Sequence, residues 1–162
     1  MSVLDDAISL EQQAMQFYCQ TKDQVSDPSA KKILELLADE EQKHAAALNA
    51  MKTGDYGNLE APALLKEVRG LVEGAVQKGQ AVIASDASMR EILQRAMEVE
   101  QTTERFYREH AGTEDGQKLR ELFEHLADQE AEHYLLVSSL VEYFDRPVEW
   151  VESAEFGLRP EY

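Results

Sequence analysis

The sequence predicts an all-α protein, a four-helix bundle built from two repeated helical hairpins that are joined by one long crossover. Three observations predict it: four long segments with apolar residues at helical spacing, short turns within two pairs of them, and an internal repeat. The 162 residues suffice for one domain. We expect the bundle to occupy residues 1–145, with the crossover at 53–87, and a C-terminal tail at 146–162 that packs on the bundle or on a second subunit.

Turn signals separate the predicted helices. The four long helices are expected to span, in order, residues 2–21, 29–52, 85–110 and 116–144. "SDPSA" at 26–30 is a turn, in which Pro28 suits the first turn of the second helix, and Gly112 ends the third helix. "TGDYGNLEAP" at 53–62 ends the second helix because it holds two glycines and a proline. Short connections within each pair and a long one between the pairs are typical of a bundle with a single crossover.

An internal repeat relates the two predicted hairpins. "LADEEQKH" begins at Leu37 and "LADQEAEH" begins at Leu126, a shift of 126 − 37 = 89 residues. The same shift, without a gap, places Glu11 on Glu100, Phe17-Tyr18 on Phe106-Tyr107, Glu41 on Glu130 and His44 on His133. A hairpin cannot bury its apolar stripe alone, so the repeat predicts two copies that pack together with pseudo-twofold symmetry.

The composition excludes several classes of protein. The chain has 16 Lys and Arg against 32 Asp and Glu, a net charge of −16. Nucleic acids and anionic membranes require a basic face, so neither is expected as a partner. The single cysteine, Cys19, allows no internal disulfide and no four-thiolate metal site. The first residues do not form a signal peptide, and no apolar run is long enough to span a membrane, so we expect a cytoplasmic protein.

Polar residues interrupt the apolar stripe of every predicted long helix. In the second helix Leu37, Glu41, His44 and Leu48 recur at steps of 4, 3 and 4, a spacing that belongs to the seam between packed helices. The fourth helix repeats this pattern, and the first and third helices each place a glutamate in the same kind of row. The candidate metal ligands in these rows are Glu11, Glu41, His44, Glu100, Glu130 and His133, and the row of the third helix also holds Glu104.

Four carboxylates that converge in an apolar interior need compensation. Burying an ion costs several kcal/mol, so the carboxylates must be protonated, paired with cationic side chains, or bound to cations. Few Lys or Arg residues lie on these rows, whereas two divalent ions would balance four carboxylates. An exposed face is the alternative, but it would also turn Leu37 and Leu48 outward. One glutamate from each of two helices and Glu-x-x-His from each of the other two is the known arrangement of ferritin-like di-iron bundles.

On these residues the sequence resembles the rubrerythrin-like members of the ferritin-like superfamily. The resemblance covers about residues 2–145 and implies two iron ions. It implies that Glu41 and Glu130 bridge the two ions, that Glu11 and Glu100 bind one ion each, and that His44 and His133 each complete one ion's ligands. Rubrerythrins proper also carry a four-cysteine rubredoxin module, which this chain lacks, so we expect an external electron-donor protein.

Further residues of the third helix separate the chain from that family's usual pattern. The family usually has an additional glutamate three residues after the third-helix ligand, where this chain has Thr103. Glu104 is either a shifted additional ligand or the ion-pair partner of Arg108 one turn further along the helix, and we favour the ion pair.

Two tyrosines are candidates to support the site. Tyr18 and Tyr107 lie seven residues after Glu11 and Glu100, so their hydroxyls are candidates to hydrogen-bond ligand carboxylates. Packing in the core is the alternative.

The site chemistry favours small oxidants as substrates. A carboxylate-rich site with two histidines suits Fe(II) or Mn(II). Our leading hypothesis is an enzyme that reduces hydrogen peroxide, or that oxidises Fe(II) with O₂ or peroxide, in oxidative-stress defence. The alternatives are a ferroxidase or iron-handling protein, a di-manganese catalase-like enzyme, and a metal-free acidic helical interaction protein. A homodimer is expected from the resemblance and from the aromatic residues of the tail.

Overall fold

The fold was analysed in a computed structural model, which describes residues 2–55, 68, 87–113 and 116–145. The predicted tail at 146–162 and all of the predicted crossover except 53–55, Val68 and Ala87 lie outside the described residues. The described part of the chain holds helices and turns and no strand. The prediction of an all-α four-helix bundle of the ferritin-like type is confirmed.

The helices begin and end close to the predicted residues. In chain order they are α1 (Val3–Lys22), α2 (Pro28–Thr53), α3 (Ala87–Ala111) and α4 (Gln117–Asp145). Ser2 and Asp5 form a capping box at the start of α1, and Asp27 accepts a hydrogen bond from the backbone N–H of Ala30 at the start of α2. Gly54 ends α2 with φ of 81°, a left-handed conformation that glycine adopts without steric cost.

The four long helices of the described residues are arranged as two hairpins. The first hairpin, α1–α2, and the second, α3–α4, contain the most extensive helix–helix packing among the described residues. Between the hairpins α1 packs on α3, and α2 approaches α4 more sparsely. None of the helices described is both long and apolar enough to cross a membrane.

The apolar core is divided into two parts along the bundle. One cluster includes Ile33, Leu37, Leu93 and Val137, and Val68 of the crossover segment packs in it. The other includes Leu48, Leu122, Phe123 and Leu126. Tyr18 belongs to the first cluster and Tyr107 to the second. The division leaves a layer of buried polar side chains between two apolar regions.

Candidate metal centre

The six candidate metal ligands predicted from the sequence converge in this polar layer. The side chains of Glu11 on α1, Glu100 on α3, Glu41 and His44 on α2, and Glu130 and His133 on α4 are at most 3% exposed. Within α2 and α4 the glutamate and the histidine are three residues apart, so one helical turn places both on the same side. We call these six residues the buried cluster.

The histidines each approach three carboxylates through the same ring atom. Nδ1 of His44 lies 2.8 Å from Glu130, 3.2 Å from Glu41 and 3.5 Å from Glu11. Nδ1 of His133 lies 3.3 Å from Glu41, 3.4 Å from Glu100 and 3.7 Å from Glu130. The two rings are stacked, with centroids 5.4 Å apart and planes 9° from parallel. Thus Glu41 and Glu130 contact both histidines, whereas Glu11 and Glu100 contact one each.

The cluster divides into two overlapping sets of four residues. Glu11, Glu41, His44 and Glu130 form one set, and Glu41, Glu100, Glu130 and His133 form the other. In each set, one atom from every residue lies within 4.8 Å of the others. Two residues, Glu41 and Glu130, belong to both sets. Two sets of potential donors with two carboxylates in common are the arrangement that would hold two ions side by side.

The donor atoms of the cluster fit divalent cations. Both oxygens of Glu41, one oxygen each of Glu11, Glu100 and Glu130, and both ring nitrogens of each histidine are buried without a hydrogen-bond partner. The short histidine–carboxylate approaches are therefore not aligned as hydrogen bonds. Unpaired buried polar atoms are costly, so their concentration at one point is the donor arrangement that a bound cation would satisfy. Oxygen and imidazole donors in this ratio suit iron or manganese.

Burial and charge shift the pKa values of the four carboxyl groups in two directions. Desolvation, followed by repulsion from Glu41 and Glu130, raises the pKa values of Glu11 and Glu100 well above 4.5. Burial also acts to raise the pKa values of Glu41 and Glu130. The adjacent histidines outweigh it, and both pKa values lie below 4.5. The two shared carboxyl groups are therefore the ionised ones.

The histidines complete this balance of charge. Burial alone would lower the pKa values of His44 and His133. The negative charges around them, led by Glu130 for His44 and by Glu100 for His133, raise both pKa values well above 6.5. Two protonated histidines then balance two ionised carboxylates, while Glu11 and Glu100 favour the protonated form. Two divalent ions could replace these four protons without changing the net charge of the layer.

Both tyrosines donate hydrogen bonds across the boundary between the hairpins. The hydroxyl of Tyr18 on α1 donates to Glu100 on α3, and the hydroxyl of Tyr107 on α3 donates to Glu11 on α1. Burial raises the pKa values of both phenols well above 10.0, so they remain protonated donors. The sequence indicated that the tyrosines were near ligand carboxylates but did not indicate that each pairs with the other half.

Glu104 lies outside the buried cluster. Its side chain is partly exposed, and its carboxylate lies 3.5 Å from Nε of Arg108. Another nitrogen of the same guanidinium, Nη2, donates a hydrogen bond to Asp128 at 2.7 Å. At the position of the additional glutamate expected from the resemblance, Thr103 is buried and donates to the carbonyl of Val99 at 3.1 Å. The structure therefore places no carboxylate beside the cluster at that point of α3.

Two buried polar residues that the internal repeat relates were not singled out from the sequence. Glu40 on α2 and Gln129 on α4 are 8% and 5% exposed, and the 89-residue shift relates them. A carboxylate oxygen of Glu40 lies within 4.8 Å of ring nitrogens of both His44 and His133. Their sequence signal is that each lies four residues, about one turn, before a seam histidine.

This bundle, with its buried layer of four carboxylates and two histidines, belongs to the ferritin-like class of carboxylate-bearing helical proteins. The model of the rubrerythrin family matches residues 2–141, most of the chain. The protein belongs to the rubrerythrin family. No curated protein and no solved structure matches it.

Proposed function

We propose that the protein is a di-iron oxidoreductase that reduces hydrogen peroxide, or oxidises Fe(II) with O₂ or peroxide, in oxidative-stress defence. The observation that carries the proposal is the pair of four-residue sets that share Glu41 and Glu130. Glu41 and Glu130 would each contribute to holding both iron ions. Glu11 and His44 would help to hold one ion, and Glu100 and His133 would help to hold the other.

A pair of Fe(II) ions, when bound, supplies the two electrons that the reduction of one peroxide molecule to two water molecules consumes. The protein's own residues have separate tasks. The two apolar clusters exclude bulk water from the layer between them. Tyr18 holds Glu100 in place, and Tyr107 holds Glu11 in place, each through a hydrogen bond from its hydroxyl group. These hydroxyl groups are also positioned to donate protons near the site where peroxide is reduced. Two protons are needed for each peroxide molecule, because two oxygen atoms leave as water.

The reducing equivalents are proposed to come from a separate electron-donor protein. Cys19 is the single cysteine of this chain, so a four-thiolate iron centre cannot form within it. A donor protein would approach an acidic surface, because the chain carries a net charge of −16. A basic electron carrier is therefore the expected partner, and its association rate should fall as salt increases.

The first test is the metal content of the purified protein before and after anaerobic loading with Fe(II). We expect about two iron ions per chain, and strong loss of both in Glu41→Ala and Glu130→Ala, because each substitution removes a ligand that the two sets share. Asp39→Ala is a matched control, because Asp39 is an exposed acidic residue two positions from Glu41. Metal content that neither cluster substitution changes would contradict the assignment.

The second test is the reaction itself. With an external reductant, the loaded protein should consume hydrogen peroxide faster than the Glu41→Ala variant does. Equal rates would contradict the enzymatic proposal. Uptake of Fe(II) far beyond two ions per chain would instead favour iron handling, and two manganese ions would favour catalase-like chemistry.

A further inference from the structure

A groove of about 370 Å³ lies between α1 and α3. Its lining includes three residues from α1, Leu10, Gln13 and Ala14, and three from α3, Val99, Thr102 and Thr103. The volume is within the range of small-molecule sites in proteins. The groove is open to solvent and combines apolar and polar side chains.

The position of the groove follows from the internal repeat. The 89-residue shift that places Glu11 on Glu100 also places Leu10 on Val99, Gln13 on Thr102 and Ala14 on Thr103. These three pairs of lining residues are therefore related by the same repeat as the buried cluster, whereas the remaining lining residues, Phe17, Arg95 and Glu98, have no counterpart in the groove. Leu10 and Val99 directly precede the two outer carboxylates along the chain. The groove thus lies on the cluster's α1–α3 side.

Two small, buried side chains of the groove lining lie one turn along their helices from the cluster, Ala14 and Thr103. Ala14 is 3% exposed and Thr103 is 2% exposed, and each follows an outer carboxylate by three residues, about one turn. The hydroxyl of Thr103 donates a hydrogen bond to the backbone carbonyl of Val99. The methyl group is therefore the part of this side chain that is not held by a hydrogen bond. Four other buried alanines also lie about one turn from a carboxylate of the cluster, but none of them lines this groove: Ala7, Ala38, Ala96 and Ala127.

We propose that the α1–α3 groove is the path by which a small oxidant reaches the buried cluster, and that Ala14 and Thr103 set the size of the molecule admitted. The inference rests on the proposed function. The groove is much larger than hydrogen peroxide, which is only slightly larger than a water molecule of about 30 Å³. The constriction is therefore the layer of Ala14 and Thr103 and not the mouth.

The test is the substitution Thr103→Leu, which fills the constriction without altering any residue of the cluster. Two quantities are measured on the iron-loaded protein: the rate and affinity of azide binding, from the change in absorption, and the rate of peroxide consumption. Azide serves as a probe of access that requires no turnover. We expect both rates to fall about tenfold or more, because entry must then wait for side chains to move, while the iron content stays unchanged.

A matched control separates filling of the path from the effect of a larger side chain on a helix. Ser139 on α4 is exposed, and its hydroxyl donates to the carbonyl of Leu135 as that of Thr103 does to Val99. Ser139→Leu should leave azide binding and peroxide consumption unchanged. Thr103→Ala widens the constriction and should increase the rate with tert-butyl hydroperoxide more than the rate with hydrogen peroxide. It also provides the test if Thr103→Leu does not fold.

The outcomes distinguish this inference from the proposed function. Azide binding in Thr103→Leu that is as fast as in the unchanged protein would overturn the path, even if peroxide turnover is observed. Slower azide binding in a protein that never consumes peroxide would support the path and contradict the proposed reaction. A protein that binds no iron would overturn both.

Discussion

The two hairpins are alike in the residues that enter the buried cluster and differ in the residues beside it. Each hairpin supplies one outer carboxylate, one shared carboxylate, one histidine and one tyrosine. Beside these, Glu40 of the first hairpin corresponds to Gln129 of the second, and Ala14 corresponds to Thr103. The cluster is therefore symmetric in its potential donor atoms and asymmetric in its surroundings. Symmetry is kept where these donor atoms converge and is relaxed one residue further out.

Among changes that affect one half of the cluster alone, the largest effects are expected from the loss of an outer carboxylate. Of the two buried histidines, Glu11 contacts only His44, and Glu100 contacts only His133. Glu11→Ala and Glu100→Ala should therefore each reduce the metal content from about two ions to about one, because each removes a ligand of a single set. Metal analysis of purified protein measures this. Loss of both ions from either variant would show that the halves do not bind independently.

The stability of the metal-free protein should fall as pH rises. Glu11 and Glu100 have raised pKa values, so their contribution is complete below pH 4.5 and is lost as pH rises through the raised values. His44 and His133 behave in the same way above pH 6.5. Glu41 and Glu130 have lowered pKa values, and their contribution is lost only when pH falls below 4.5.

Thermal unfolding in the presence of a chelator measures this dependence. Between about pH 6 and pH 9 the folded chain binds more protons than the unfolded chain, so the melting temperature should fall. Glu11→Gln and Glu100→Gln should each remove a similar share of the dependence, because the halves are equivalent here. Saturating metal should remove the fall, since the ions displace these protons. A melting temperature that rises over this range in the chelated protein would contradict the charge balance.

The crossed tyrosines should show intermediate effects. Tyr18→Phe and Tyr107→Phe each remove one buried hydrogen bond to a carboxyl group, which is expected to cost about 1–3 kcal/mol of unfolding free energy. The decisive measurement is a double-mutant cycle. Tyr18→Phe should couple with Glu100→Gln and should be nearly additive with Glu11→Gln. Coupling to Glu11 instead would show that each tyrosine serves its own half.

The smallest effect is expected from making the two surroundings alike. The Glu40 carboxylate is near both histidine rings and is also bound to Lys43 at 2.6 Å, whereas Gln129 is neutral. Mutation of a residue that contacts a metal-binding histidine typically lowers metal affinity by about 10- to 100-fold. Glu40→Gln keeps the shape of the side chain and removes its charge. It should therefore reduce the ratio of the two stepwise Mn(II) affinities, and by less than about 10-fold. Titration calorimetry measures both steps. An unchanged ratio would mean that Glu40 does not distinguish the two ions.

The sequence predicted the bundle and its convergence of polar residues because both depend on spacing along single helices. Leu37, Glu41 and His44 share a face by helical geometry alone, and Pro28 and Gly54 mark the ends of α2. The crossing of Tyr18 to Glu100 depends on which helix lies opposite, and no single-helix pattern contains that information. The groove beside Ala14 and Thr103 lies between two helices, and these two residues are 89 positions apart in the sequence. A pattern within one helix therefore cannot predict it.

The crossed hydrogen bonds have a consequence for how the site can vary. The contact of Tyr18 with Glu100 and that of Tyr107 with Glu11 are related by the pseudo-twofold rotation. Paired contacts of this kind occur where two identical subunits meet about a twofold axis. In a homodimer every substitution appears twice, so the two sides of such an interface cannot be adjusted separately. Here both sides belong to one chain, and Glu40 and Gln129 already differ. One copy can therefore be modified while the other keeps the original chemistry, a freedom that a true dimer of identical hairpins lacks.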